Sequence, residues 1–245
     1  MRYKRLMKQS IGNILSKTYG SFFLKNQKGL KVLMYHDIGD TNDFDLYKIK
    51  LSLFKKQIET LIKNKDILTI EDGIKNFSNI IITFDDSFTN IYNLVFPFLE
   101  EKKIHFTIFV ICKFLENEYS NYININQLKE MSKSKYVTIG SHTHSHIDLN
   151  HCDDNIARYE IKDSKRYLED IIGKNVDYFS YPYGSYSEKI KKILKNSGYK
   201  AAFCSKFGFF SNEKDLFNIP RLDIWSTDSL NSLNDKIEGK WNWHK

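Results

Sequence analysis

Short runs of apolar and β-branched residues recur along the chain at residues 31–35, 67–70, 80–84, 106–111, 136–139, 178–180, 199–204 and 219–225. Runs of this length, apolar on successive positions, predict strands buried on both faces. Between them apolar residues return every three or four positions. Leu53, Phe54, Ile58 and Leu61 predict one helix over residues 51–63. Ile91, Leu94, Val95, Phe98 and Leu99 predict another, in which Pro97 marks a kink or an end. Further helices are expected over residues 125–131 and 153–172, the second stopped by Gly173. Ser185 and Glu188 read as a capping box for a helix carrying Ile190, Ile193 and Leu194, which Gly198 ends.

Strand and helix alternate about seven times without a break, and that order implies parallel strands joined by helical crossovers. The expected fold is α/β: a single-domain, distorted or incomplete (β/α)7 barrel, with an open doubly wound sheet as the second choice. The barrel domain is assigned to residues 31–225, with a basic segment at 1–30 and a C-terminal tail or helix at 226–245. With 41% hydrophobic residues the chain can bury a core, which excludes a disordered protein. Three well-separated cysteines argue against a disulfide framework and for a reducing compartment.

Charge changes the picture only at the start. Eight Lys or Arg and no acid fall in residues 1–31, whereas the whole chain carries +7, so everything after Lys31 is close to neutral. Leu6, Met7, Ile11, Ile14 and Leu15 recur there at helical spacing. A basic amphipathic helix lying on an anionic membrane and an ordinary surface helix are equal readings. Asn13, Ser16 and Lys17 interrupt any apolar core of a secretory signal. The expectation is therefore a cytoplasmic protein, with peripheral contact at the inner membrane face under the first reading. No nucleic-acid recognition motif accompanies the charge.

The candidate chemistry gathers where strands end. Ile80–Phe84 runs into Asp85-Asp86-Ser87, the strand at 136–139 leads to Ser141-His142-Thr143-His144-Ser145-His146, and Tyr178–Ser180 meets Tyr181-Pro182-Tyr183-Gly184. Carboxyl ends of parallel strands share one face, where such folds keep their active sites. Asp86 or Ser87 could instead cap the following helix. Imidazoles and a carboxylate suit a divalent metal, and a catalytic site keeps three protein ligands plus water. His142 and His146 lie on one side if the segment turns, and His144 joins them if it is extended; His151-Cys152 is a rival pair. Zinc lowers the pKa of bound water from about 15.7 to about 7, and an acid left free of the metal can take the proton. Cobalt or ferrous iron fits the same donors.

Thr83-Phe84-Asp85-Asp86-Ser87, His142-Thr143-His144-Ser145-His146 and Tyr181-Pro182-Tyr183-Gly184 resemble the first three motifs of the polysaccharide deacetylases, carbohydrate esterase family 4. The resemblance spans roughly residues 31–225. It implies Asp85 as general base, Asp86, His142 and His146 as metal ligands, and the Tyr183 backbone N–H as an oxyanion donor. Ser180 stands where the family has an arginine that orients the base, and Arg221 is the candidate to supply that guanidinium from the next strand end. No late Leu-x-x-His motif follows Trp225, whereas Leu33-Met34-Tyr35-His36 fits at the first strand. That order resembles the permuted branch containing biofilm poly-N-acetylglucosamine deacetylases, with His36 as the acid that protonates the leaving amine. Tyr181, Tyr183 and Trp225 are candidates for a sugar platform or for packing. The expected activity is metal-dependent removal of N-acetyl from amino sugars of a polysaccharide or lipid-linked precursor. A C–N hydrolase on a small amide and a non-catalytic glycan-binding relic are the alternatives.

Overall fold

The computed structural model describes Ile11 and residues 29–41, 44–63, 65–77, 79–211 and 215–241. The basic segment at 1–30, with its amphipathic-helix reading, falls almost entirely outside the described residues. Among the described residues there are nine strands: β1 (Lys31–Tyr35), β2 (Asp37–Ile38), β3 (Lys48–Ile49), β4 (Ile80–Phe84), β5 (Phe106–Val110), β6 (Val137–Ser141), β7 (Tyr178–Ser180), β8 (Ala201–Phe207) and β9 (Ile219–Asp223). Seven of them close a barrel in the order β1-β4-β5-β6-β7-β8-β9, and every pairing is parallel. The expected (β/α)7 barrel is therefore what the chain forms, and the open sheet is not. Its distortion is local: β7 meets β6 through a single register pair, Ser141 with Phe179, and β8 carries an irregularity between Phe203 and Phe207.

Side-chain alternation divides the strands into two layers. Ile80, Ile82 and Phe84 of β4, with Leu33 and Tyr35 of β1, pack outward against the helices. Val32, Ile81, Phe109, Ala201, Phe203 and Ile219 fill the lumen. The same parity carries on upward from Ile81 through Thr83 to Asp85, and from Ile219 to Arg221. The lumen is thus apolar at its base and ionic at its carboxyl mouth. Gly140 makes this possible, since a Cβ there would lie 2.5 Å from the Phe109 ring.

The helices are α1 (Leu51–Ile62), α2 (Ile70–Asn76), α3 (Phe96–Glu101), α4 (Cys112–Glu116), α5 (Ile125–Lys133), α6 (Asp154–Ile172), α7 (Glu188–Asn196) and α8 (Leu230–Ile237). Asp153 caps α6 by accepting from the N–H groups of Asn155 and Ile156, and Gly173 ends it at φ 66°. Three local expectations change. Residues 67–70 form no strand: Ile67 makes one bridge to Ile80, and Thr69 caps α2 by accepting from Asp72 N–H. Pro97 falls at a boundary rather than an end: a π turn at Ile91–Val95 gives way to the α-helix at Phe96, so the residue with no N–H to give sits in the new helix's first turn. Ser187, not Ser185, caps α7, and Ser185 accepts a hydrogen bond from Asn150 instead.

Candidate active site

The site is built at the barrel mouth, where five non-glycine residues adopt left-handed backbone: Asp86, Ser87, Thr143, His146 and Tyr183, at φ 54–69°. Such conformations cost about 1–3 kcal/mol each and mark places where side-chain aim overrides local preference. In the turn after β6, His146 N–H donates to Thr143 Oγ1 at 2.8 Å, and Thr143 N–H to Ser141 Oγ. This fold-back puts His142 and His146 rings 4.8 Å apart. It turns His144 away, between Tyr159 and Tyr167 and 3.4 Å from Glu116. His151 is exposed and pairs with Asp148, so the rival ligand pair does not form.

Asp86, His142 and His146 have ligand atoms within 4.8 Å of one another. Asp86 Oδ1 lies 3.5 Å from His142 Nε2 and 3.4 Å from His146 Nε2. Ligands about 2.1 Å from a tetrahedral metal stand about 3.4 Å apart, so the donor set fits a divalent cation. His142 Nδ1 is 2.8 Å from the Ser180 carbonyl, which can only accept, so Nδ1 donates there and Nε2 is the nitrogen turned to Asp86. Burial and the charge of His142 push His146 down to about 4, which leaves its imidazole neutral and able to ligate near neutral pH.

Asp85 is buried and belongs to a different set of contacts. Arg221 grips it at both oxygens, Nη1 to Oδ1 at 2.8 Å and Nη2 to Oδ2 at 2.7 Å. Arg221 also donates to Ser180 Oγ at 2.9 Å, and that hydroxyl donates to Asp85 at 3.1 Å. Its Nε is fixed on the Cys204 carbonyl and its guanidinium stands over Phe109. Burial alone would raise the Asp85 pKa, but the Arg221 and His142 charges hold it well below the usual carboxylate range. Ser180 therefore leaves room for, and bonds to, a guanidinium arriving from β9.

His36 lies at the end of β1, against Tyr47 at 4.4 Å. Its barrel neighbour β9 ends at Asp223, whose carboxyl is pushed up by burial, against the opposing pull of His36. Asp223 Oδ1 and His36 Nδ1 have no hydrogen-bond partner among the described residues. Asp223 was not singled out in the sequence, although it repeats the parity of Arg221. Tyr183 is 69% exposed with its ring 4.9 Å from His146. Tyr181 is fully buried, its hydroxyl on the Phe217 carbonyl, so it packs and offers no sugar platform. Trp225 is 6% exposed and covered by Lys236 at 4.2 Å, which likewise removes it from that role.

The His142–His146 turn has a brace that sequence reasoning missed. Glu160, buried on α6, accepts from both Ser145 N–H and Ser145 Oγ. The signal was an acid at a buried helical position, in line with Ala157, Ile161 and Ser164. Glu160→Gln is expected to weaken the binding of an added divalent cation at Asp86, His142 and His146 by about 10-fold to 100-fold, the usual cost of losing an outer support of a ligand. Calorimetric titration of the metal-free protein measures it, and unchanged affinity would show that the turn holds without Glu160.

A buried, arginine-held carboxylate stands beside a two-histidine, one-carboxylate cluster at the mouth of a parallel barrel, an arrangement suited to hydrolytic chemistry. The family model described as Polysaccharide deacetylase matches residues 72–202. The chain belongs to the polysaccharide deacetylase family. It is 28% identical over 214 residues to the poly-β-1,6-N-acetyl-D-glucosamine N-deacetylase of Staphylococcus epidermidis, covering 79% of this chain and 73% of that protein. Among solved structures it resembles the deacetylase PplD of Streptococcus pyogenes in complex with acetate, with TM-score 0.79, 25% identity and coverage of 85% of this chain and 98% of the other. It also resembles a polysaccharide deacetylase from Bacillus cereus, with TM-score 0.77, 28% identity and coverage of 86% and 69%.

Proposed function

We propose that this deacetylase is a divalent-metal-dependent enzyme that removes N-acetyl groups from an N-acetylglucosamine polymer. The observation that carries the reading is the separation of duties between adjacent acids: Asp86 faces His142 and His146, while Asp85 is locked to Arg221. The named activity of the staphylococcal relative supports the sugar, and the acetate complex of the streptococcal structure supports acetate as the product.

Zinc, or cobalt or ferrous iron on the same donors, would polarise the amide carbonyl and acidify water when bound. The chain's own groups do the rest. Asp85, kept ionised by Arg221, accepts the proton of the attacking water. The Tyr183 backbone N–H donates to the oxyanion as the carbonyl becomes tetrahedral. His36, beside Asp223, gives a proton to the departing sugar amine, a task suited to imidazole. The exposed Tyr183 ring covers the outer side of His146 and sheds water from the bound acetamide.

Ser180 in place of the family's arginine invites the relic reading, and Arg221 on Asp85 speaks against it, because Asp85 keeps a guanidinium. The test is acetate release from N-acetylglucosamine oligomers and lipid-linked sugars by chelator-stripped protein, with zinc, cobalt or iron restored. Release that returns with metal is the expected result. Release that chelation leaves untouched overturns the metal dependence, and silence on all these sugars overturns the substrate.

A further inference from the structure

Residues 44–49 cross the carboxyl end of β1 and lie against His36. In this stretch Leu46 and Ile49 are buried and anchor the chain, while Tyr47 and Lys48 are half-buried. Asp45 Oδ1 accepts from Tyr47 N–H at 2.8 Å, the local bond by which an Asp sets a turn two residues on. The turn brings the Tyr47 ring onto the His36 imidazole, with centroids 4.4 Å apart at 51°.

The segment is tied to the residue next to His36 in the chain. Asp37 N–H donates to the Tyr47 carbonyl, and β2 pairs with β3 through Asp37 with Lys48 and Ile38 with Ile49. The Asp37 carboxylate accepts from Lys48 Nζ at 3.0 Å and from Asn90 Nδ2 at 2.9 Å. Gly39 leaves the space for this, since a Cβ there would stand 3.1 Å from Asn90 Nδ2 and 3.4 Å from Lys48 Cε. From the other side Ser226 N–H, just past β9, donates to the Leu46 carbonyl at 2.8 Å. Tyr47 is therefore held both by the neighbour of His36 and by the chain that leaves Asp223.

His36 has little else to fix its ring. Its Nδ1 is buried with no hydrogen-bond partner among the described residues, so no bond at that nitrogen sets the rotation. The terminal torsion of an imidazole is intrinsically broad, and contact across a ring face is what narrows it. Aim matters for a group that gives a proton, because a misplacement of about 1 Å can cost on the order of 10² in rate.

We infer that Tyr47 is a positioning residue, whose ring holds the His36 imidazole in the orientation from which it protonates the departing amine. This rests on the reading of His36 as the acid given above. Asp37, Lys48 and Leu46 deliver the ring, and the aromatic face rather than the phenol hydroxyl does the holding.

The experiment compares full-length wild type, Tyr47→Ala, Tyr47→Phe, His36→Ala and the double variant His36→Ala with Tyr47→Ala, all with zinc added. The substrates are an N-acetylglucosamine oligomer and nitrophenyl acetate. The sugar amine leaves only with a proton, whereas nitrophenolate leaves without one, so a fault confined to the acid shows on the amide alone. Tyr47→Ala is expected to lose about tenfold in kcat on the amide, less than the about 10²–10⁴ that an acid supplies, and to match wild type on the ester. Tyr47→Phe is expected to match wild type on both. Once His36 is gone, removing Tyr47 is expected to cost nothing further, because residues that act as one unit are not additive. Equal loss on both substrates, equal loss in Tyr47→Phe and Tyr47→Ala, or an additive loss in the double variant overturns the inference. The His36 ring signals in NMR decide it without turnover, assigned by their absence from His36→Ala. They are expected to be sharp in wild type and Tyr47→Phe and broadened by exchange in Tyr47→Ala. Broadening without acetate release from any sugar supports the positioning and sinks the deacetylation reading alone. Sharp signals in Tyr47→Ala overturn the positioning itself.

Discussion

Asp85→Asn is expected to bind an added divalent metal as the wild type does and to lose about 10²–10⁴ in kcat, the usual contribution of a positioned general base. Asp86→Ala is expected to lose the metal itself. The two residues are neighbours in sequence but not in duty. Asp85 continues the lumen parity of Ile81 and Thr83, so its carboxylate drops into the barrel onto Arg221. Asp86 follows at φ 69°, a left-handed turn that swings the next carboxylate up towards His142 and His146. Asn in place of Asp85 keeps the shape and one acceptor for Arg221 but removes the basic oxygen. Metal content by elemental analysis and turnover on the same samples separate the outcomes. Equal metal loss in both variants would sink this division. His36→Ala, measured alongside, is expected to retain the metal and lower kcat.

Much of this was readable in the chain because burial forces simple patterns. Strands covered on both faces must be apolar throughout, and β1, β4 and β7 fall at the ends that their runs predict. A carboxylate pair and a histidine cluster at the exits of such strands must share a face, and they do. What was not readable depends on contacts that cross the barrel. Residues 67–70 look like a strand because Ile67, Leu68 and Ile70 are apolar, but the local bond from Asp72 N–H to Thr69 decides for helix. Tyr181 follows a strand end like its functional neighbours, yet its hydroxyl finds Phe217 in the core, and spacing alone cannot tell a buried tyrosine from a presented one. Glu160 lies fifteen residues from Ser145, and Asp223 stands beside His36 only because β9 closes on β1. Closure is a property of the whole sheet that no single segment encodes.

Arg221→Ala is expected to abolish most of the activity, and Ser180→Arg placed on that background is expected to restore part of it. Arg221 and Ser180 face the same Asp85 oxygen from β9 and β7, so a guanidinium built from either strand can meet it. Removing Arg221 leaves a buried carboxylate without its cation, a loss of about 3–5 kcal/mol for a pair of this kind. The pH dependence gives a readout that simple destabilisation does not. Arg221 depresses the folded-state pKa of Asp85, so the pair's stabilising contribution is present above the ordinary carboxylate value, about 3.9, and is lost only as pH falls through the lower folded value. In Arg221→Ala burial dominates, the Asp85 pKa rises, and the acidic limb of kcat/KM moves to higher pH. Ser180→Arg in that variant is expected to move the limb back. Ser180→Arg alone sets a second cation against Arg221 in a dry lumen and is expected to destabilise the fold. Wild-type activity and an unmoved acidic limb in Arg221→Ala would show that Asp85 needs no guanidinium. A shift that Ser180→Arg reverses would show that the charge on Asp85, rather than the strand that delivers it, is what the chemistry requires.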